Sequence, residues 1–444
     1  METMKQTGIQ WIGEIPSDWN TKRIKYMANL KGRIGWQGLT SDEYQDEGAY
    51  LITGVDFADG GIDWENCVHV PMKRWEEAKD IQIQNGDLLI TKDGTIGKVA
   101  IVSDMPGETS LNSGVLRIMP IEGYSRRFLY WVIKSDEFWN WFNFRNAGNS
   151  TIIHLYQGDF AEFLYAFPSY EEQEAIADFL DEHCSKLDSI IADLEKQIET
   201  LKAYKKSLIT EAVTKGLDNN VPMRDSGIAW FGRIPMAWKI KKIKYVVDSI
   251  RDVDHYMPND ALDNSNSVPY IMTGDLKETL SSIDFEMCKQ ITENDYVRLS
   301  QKVTPNEGDV IFARYATIGT VAYVDVERKC VISYSCVTIK PSKSTLYGKY
   351  LFYYLKSLAF GEEVKKFINI NTQGNVGIES LGQSYITIPS LDEQIVISEW
   401  LDQKSKIIDS TISNKEDQLN NMRMHKASLI FEYVTGKKCV KEVQ

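Results

Sequence analysis

The sequence predicts an α+β protein with two similar mixed α/β globules in tandem, separated by two long helices that pack as an antiparallel coiled coil. Three observations carry that expectation. The chain is internally duplicated, each copy holds a strand–turn–strand signature, and each copy ends in a long helical run. The duplication comes first because a missed repeat misassigns the whole fold. Residues 8–26 contain Trp11, Ile15-Pro16, Trp19, Lys22, Ile24, Lys25 and Tyr26. Residues 227–245 return Trp230, Ile234-Pro235, Trp238, Lys241, Ile243, Lys244 and Tyr245 in the same order. Tyr50 to Gly54 returns as Tyr270 to Gly274, Gly86-Asp87 as Gly308-Asp309, and Thr95-Ile96-Gly97 as Thr317-Ile318-Gly319. Pro168-Ser169 with Glu172-Gln173 returns as Pro389-Ser390 with Glu393-Gln394. Matches that keep their order at a nearly constant offset mark a tandem duplication.

Each copy reads as two parts, giving expected boundaries of 1–170 for the first globule, 171–215 for a central helix, 216–389 for the second globule and 390–444 for a C-terminal helix. In the first globule, Leu88-Leu89-Ile90-Thr91 and Val99-Ala100-Ile101-Val102 flank Asp93-Gly94 and read as two strands around a turn. The second copy keeps the strands, at Val310 to Ala313 and Val321 to Val324, but loses the Asp-Gly pair. Helices are expected around Phe128 to Trp131 and Tyr350 to Tyr353. Strands mixed with helices, without regular βαβ alternation, point to a mixed globule.

From Glu171 to Lys215 there is no Gly or Pro, and Leu180, Leu187, Leu194, Leu201 and Leu208 recur every seven residues. That is a coiled-coil stripe, and a helix of this length spans roughly 65 Å. The second copy has Leu401, Ile408, Lys415, Met422 and Leu429 at the same places, so Lys415 interrupts its seam. The stripe can be buried by pairing the two helices antiparallel, or by packing each helix on its own globule.

Composition sets further bounds. A hydrophobic fraction of 43% over 444 residues excludes a disordered or collagenous chain. No apolar run approaches the ~20 residues of a membrane helix, and the first residues lack a secretory signal's apolar core. Six cysteines without a CxxC pair, and five histidines without paired spacing, give no zinc pattern. The expectation is a cytoplasmic, metal-free chain. There is no P-loop, because Gly94 to Val99 is too short for one, and no dinucleotide fingerprint. The triplets Glu77-Ala78-Lys79 and Glu363-Val364-Lys365 match a nuclease pattern, but such triplets are common and read as solvated helix faces.

Globule, long helix, globule, long helix, with Glu-Gln opening each helix, resembles the specificity subunit of type I restriction–modification systems. The carrying segments are Ile15-Pro16 with Trp19, Gly86-Asp87 through Gly97, and Pro168 to Gln173, each with its repeat. Leu208 to Thr214 matched by Leu429 to Thr435 completes the set. No single segment is specific, but the arrangement covers nearly the whole chain. The resemblance implies two target-recognition domains, each reading half of a split DNA site, on helices that act as a ruler and as the docking surface for two modification subunits. It implies no catalysis and no cofactor in this chain, S-adenosylmethionine belonging to the modification subunits, with restriction or motor subunits as further partners. A coiled-coil scaffold whose globules bind proteins is the alternative from another class, and a single-chain restriction enzyme lacks its motifs.

Net charge is −13. By segment it is −7 for 1–170, −5 for 171–215, zero for 216–389 and −1 for 390–444. Phosphate neutralisation supplies much of DNA affinity, so partner subunits are expected to contribute it. The globules then need local cations and base-reading side chains. Cations kept in both copies are Lys22/Lys241, Lys25/Lys244, Lys92/Arg314, Lys134/Lys356 and Arg145/Lys366. Lys92 and Arg314 fall in the strand-pair turn and are expected to reach a DNA groove or to stand as exposed turn charges. Thr95, Tyr315 and Thr317 share that turn. Polar loops that differ between the copies add Arg33, Trp36, Gln37, Arg145, Asn149 and Thr151 in the first globule, and Lys366, Asn371 and Gln373 in the second. Arg or Lys pairs with guanine and Gln or Asn with adenine. Trp11, Trp19, Trp230 and Trp238 read as core anchors.

Overall fold

A computed structural model describes residues 3–33, 39–58, 60–147, 154–261, 267–276, 283–367 and 375–440. The chain divides into two units, Met1–Asp193 with Gln418–Gln444, and Leu194–Asp417. The division falls inside each long helix, so a unit consists of one globule and a stretch of both helices.

The main strands of the first unit are β1 (Asn20–Arg23), β2 (Ala28–Gly32), β3 (Ala49–Ile52), β4 (Val68–Val70), β5 (Leu88–Thr91), β6 (Val99–Ile101), β7 (Thr109–Leu111), β8 (Val115–Pro120) and β9 (Leu164–Phe167), with two short hairpins beside them. An antiparallel sheet runs in the order β6-β5-β8-β2. A second runs β7-β3-β4, with β7 parallel to β3 and β4 antiparallel to it. β9 pairs antiparallel with β1. The central strand β5 is buried throughout and apolar from Leu88 to Ile90 because both its faces are covered. Leu88 and Ile90 enter the core that holds Trp19, Phe128 and Trp141, while Leu89 enters a second core with Ile52 and Leu111.

Helices α1 (Arg126–Lys134) and α2 (Asp136–Arg145) follow, each opened by a serine that caps it. Ser125 accepts from the Phe128 N–H and Ser135 from the Glu137 N–H, satisfying donors that a helix start leaves orphaned. Helix α3 (Tyr170–Lys215) is the long central helix.

The second unit repeats this plan. Its main strands are β10 (Lys239–Lys242), β11 (Val247–Arg251), β12 (Val268–Ile271), β13 (Lys289–Ile291), β14 (Val310–Ala313), β15 (Val321–Tyr323), β16 (Val331–Ile332), β17 (Cys336–Pro341) and β18 (Tyr385–Ile388), with a short hairpin before them. The sheets run β15-β14-β17-β11 and β13-β12-β16, again with one parallel pair, β12 with β16. β14 splits its side chains as β5 does, with Val310 and Phe312 in one core and Ile311 and Ala313 in another. Helices α4 (Gly348–Leu355) and α5 (Leu358–Lys365) match α1 and α2, and α6 (Leu391–Val434) is the second long helix. Lys415 does not break α6; its ammonium donates to Gln197 at 2.6 Å.

Within each unit α3 and α6 run antiparallel. In the first, Phe179 stacks on Tyr433 at 4.3 Å and Lys426 pairs with Asp188. In the second, Gln197 meets Lys415 and Lys205 meets Asp409 at 2.6 Å, so as numbers rise on α3 they fall on α6. The inward face of α3 advances in alternating steps of four and three through Ala177, Leu180, Cys184, Leu187, Ile191, Leu194 and Ile198. Both expected modes of burial operate, because Leu180 also joins the first globule's core and Leu401 the second's.

Candidate nucleic-acid interface

The turn after β5 and the turn after β14 have one backbone design. The Thr91 N–H donates to the Lys98 carbonyl and the Gly97 N–H to the Thr91 carbonyl, both at 2.9 Å. Ala313 N–H to Thr320 at 2.9 Å, and Gly319 N–H to Ala313 at 3.2 Å, repeat the pattern. Gly94 lies at φ +69° and its counterpart Ala316 at +56°, so the left-handed turn outlives the loss of its glycine. A neighbouring turn braces each one: Lys92 N–H donates to Gly114 at 2.8 Å, and Arg314 N–H to Ser335 at 2.9 Å. The chain that follows residues 148–153 and 368–374 docks on the same spot, Leu155 N–H to Lys92 at 3.0 Å and Val376 N–H to Arg314 at 3.2 Å. The fold therefore brings three segments of each copy together at one place.

The side chains there differ. Lys92 is half-buried, and among the described residues its ammonium has no hydrogen bond or ion pair. Thr95 is exposed, with its hydroxyl donating to Gly54 at 3.2 Å. Asp93 meets the His154 ring Nδ1 at 2.7 Å. Arg314, expected in the open like Lys92, is 8% exposed. Its Nε donates to the Val376 carbonyl at 2.9 Å and its Nη1 to Asp252 at 2.7 Å, so the guanidinium holds the fold together instead of reaching outward. Tyr315 lies half-buried with the Arg314 guanidinium 5.4 Å from its ring centre, and Thr317 is exposed.

Arg33 is a second correction to an expected surface contact. It is 6% exposed, donating from Nε to Leu111 at 2.7 Å and from Nη2 to Ser110 at 3.2 Å. Burial, then the nearby Arg74 charge, lowers its pKa from the ordinary arginine value. Arg145 is on the surface but paired with Asp159 at 3.0 Å. Lys366 is exposed and sits 3.4 Å from the Trp230 ring centre. Trp36, Gln37, Asn149, Thr151, Asn371 and Gln373 lie outside the described residues. Glu363 is also corrected: it is 2% exposed rather than on a solvated face, and burial raises its pKa.

Two features escaped the sequence reading. One is the bracing turn, Asn112-Ser113-Gly114 in the first copy and Ser333-Tyr334-Ser335 in the second, where His255 stacks on Tyr334 at 4.7 Å. Its signal was present, since these triplets sit at the repeat offset and differ. The other is the joint between globule and helix. Gln173 accepts from the Ser125 N–H at 2.8 Å and donates to Pro168. Gln394 accepts from Tyr347 at 2.8 Å and donates to Pro389. Asp181 accepts from the Trp131 indole at 2.7 Å and from Arg127, while Asp402 accepts from the Tyr353 hydroxyl at 2.6 Å and from Lys349 at 2.5 Å. Burial, then Asp402, holds the Tyr353 phenol well above its ordinary pKa.

Among the described residues no cluster of His, Cys, Asp or Glu could hold a metal, and no helix is long and apolar enough to cross a membrane. A family model for the type I restriction modification DNA specificity domain matches residues 16–200 and again 235–421. The chain is similar to the type I restriction enzyme MjaVIII specificity subunit of Methanocaldococcus jannaschii, 24% identical over 97% of this chain and 95% of that one. The type I restriction enzyme EcoBI specificity subunit of Escherichia coli is 21% identical over 94% of this chain and 84% of its own length. A chain from a solved structure concerned with complex assembly and conformational transition of the type I R-M system shares the fold, with a TM-score of 0.66 at 15% identity. That likeness covers 96% of this chain and 99% of the other.

Proposed function

The chain belongs to the type I restriction–modification DNA specificity family, carrying the domain twice, and from that premise we propose how its two copies divide the work. It is the DNA-recognition subunit of such a system and not a catalytic one, and the scaffold alternative falls away. Each globule, residues 1–170 and 216–389, reads one half of a split target. The two long helices hold the halves apart and receive two modification subunits, which bring S-adenosylmethionine and transfer its methyl group to adenine in the cytoplasm. A motor or restriction subunit completes the assembly where cleavage occurs.

The observation that carries this reading is the turn built twice on one backbone with different side chains. A conserved platform holding unlike groups suits two readers of unlike half-sites. The surface candidates are Lys92, Thr95, Tyr315, Thr317, Arg145 and Lys366, to which the sequence adds Trp36, Gln37, Asn149, Thr151, Asn371 and Gln373. Arg33 and Arg314 support the platform from inside. The net charge of −13 fits a subunit whose phosphate contacts come largely from its partners.

The test is to co-express the chain with its modification subunit and map methylated adenines by single-molecule sequencing. The expected motif has two short specific halves around a stretch of free sequence. Exchanging 216–389 for the matching segment of a relative should change one half and leave the other. A continuous motif, or both halves changing together, would overturn the proposal.

A further inference from the structure

The joint between each globule and the helices has been rebuilt with different donors around one acceptor. In the first unit the carboxylate of Asp181 on α3 receives the Trp131 indole and the Arg127 guanidinium from α1. In the second, Asp402 on α6 receives the Tyr353 phenol and the Lys349 ammonium from α4. Both donors changed type between the copies while the shared carboxylate stayed, although Arg127 also bonds Asp178 and Glu174 on α3, so the second joint is the simpler of the two. Simple packing does not require that, because Trp131 and Tyr353 are already buried, at 4% and 1% exposure. A two-pronged contact to one carboxylate fixes an angle as well as a distance, since sliding or rotating the globule's helix lengthens one bond or the other. The Gln173 and Gln394 amides clamp the same helix pairs near their starts. Two clamps per joint oppose rotation of the globule's helix on the long helix.

Resting on the recognition role proposed above, we propose that Asp181 and Asp402, each with its two donors, are positioning residues that set the number of base pairs between the half-sites. A globule that tilts on its helix carries its reading turn along the DNA, so the gap inherits the tilt. The residues that read bases are untouched by it. Loosening the joint therefore broadens the gap and leaves both half-site sequences unchanged.

The experiment uses the full chain assembled with its modification subunits, in parent form and with Tyr353→Phe, Lys349→Met or Asp402→Asn. Tyr353→Phe removes one hydroxyl and keeps the buried ring, so it is the variant of choice, and Lys349→Met serves if it fails to assemble. The readout is the ratio of methylation at sites whose gap is one base pair longer or shorter to methylation at the parent gap. That ratio should rise several-fold with the half-site sequences intact. Ile271→Val, in the buried sheet of the same globule, is a destabilised control whose gap should stay single. A lower Tm with an unchanged gap ratio would make the joint merely structural and overturn the proposal, as would equal broadening in Ile271→Val. A parent complex that methylates no split site at all would instead sink the recognition role on which this rests.

Discussion

The two copies agree in their backbones and disagree in what their polar side chains are used for. Lys92 and Arg314 occupy one position of one turn, yet the first has no partner among the described residues and the second is locked to Val376 and Asp252. Glu137 and Ala359 likewise share a place just after the capping serine of α2 and α5, and both are buried, but only one carries a titratable group. Duplication preserves the hydrogen-bonded frame because every break in it would orphan a buried backbone group. Side chains off the frame drift freely, so a cation shared by two copies is no evidence of a shared role.

The largest expected effect separates the two interiors by pH. Burial pushes the Glu137 carboxyl up to about 8, against the opposing influence of the Ala166 backbone and Lys437. In the unfolded chain the same group titrates near its ordinary ~4.3. Between those values the native state holds a proton that the unfolded state has lost, so stability falls as pH rises and levels off above about 8. Glu137→Gln removes that slope. Urea unfolding from pH 5 to 9 should show the variant gaining on the parent up to about pH 8. Parallel curves would mean that the carboxyl is ionised in place.

Next comes the turn itself. Arg314→Ala strands Asp252 and the Val376 carbonyl, and removing one partner of a largely buried pair costs about 3 kcal/mol. Lys92→Ala removes a half-buried charge that has no partner among the described residues, and should stay within about 0.5 kcal/mol. On DNA the order reverses for effects not due to unfolding. If Lys92 meets a phosphate, its loss should reduce the salt slope of binding by the assembled complex by about 1. Equal destabilisation by the two variants, in thermal melts of the free chain, would erase the comparison.

How much of this was legible follows the same division. The repeat, both long helices, the paired strands and the buried tryptophans Trp19 and Trp238 were readable because periodicity and turn chemistry act locally. The roles of Arg33 and Arg314 were not. Each depends on a partner far along the chain, Leu111 for the first and Asp252 and Val376 for the second, and composition says nothing about which way a turn residue points. The Glu-Gln signature was legible as a marker but not as a mechanism. Only the structure shows Gln173 and Gln394 bridging the helix start to the globule.

The smallest effect concerns the backbone of the two turns. Gly94 at φ +69° and Ala316 at φ +56° hold the same left-handed conformation, which burdens an L-residue with a Cβ by about 1–2 kcal/mol. A Cβ added at Gly94 meets no atom within 4 Å, so the backbone strain stands alone there. Gly94→Ala should then cost about 1 kcal/mol. Ala316→Gly relieves the strain but frees the unfolded chain, two effects of opposite sign, and should gain less than about 1 kcal/mol. The reciprocal pair, measured by chemical denaturation of the full chain, tests whether the second copy stores strain at its turn. Were Ala316→Gly destabilising by as much as Gly94→Ala, the alanine methyl would be making contacts that outweigh the strain, and the two turns would differ in packing as well as in their charges.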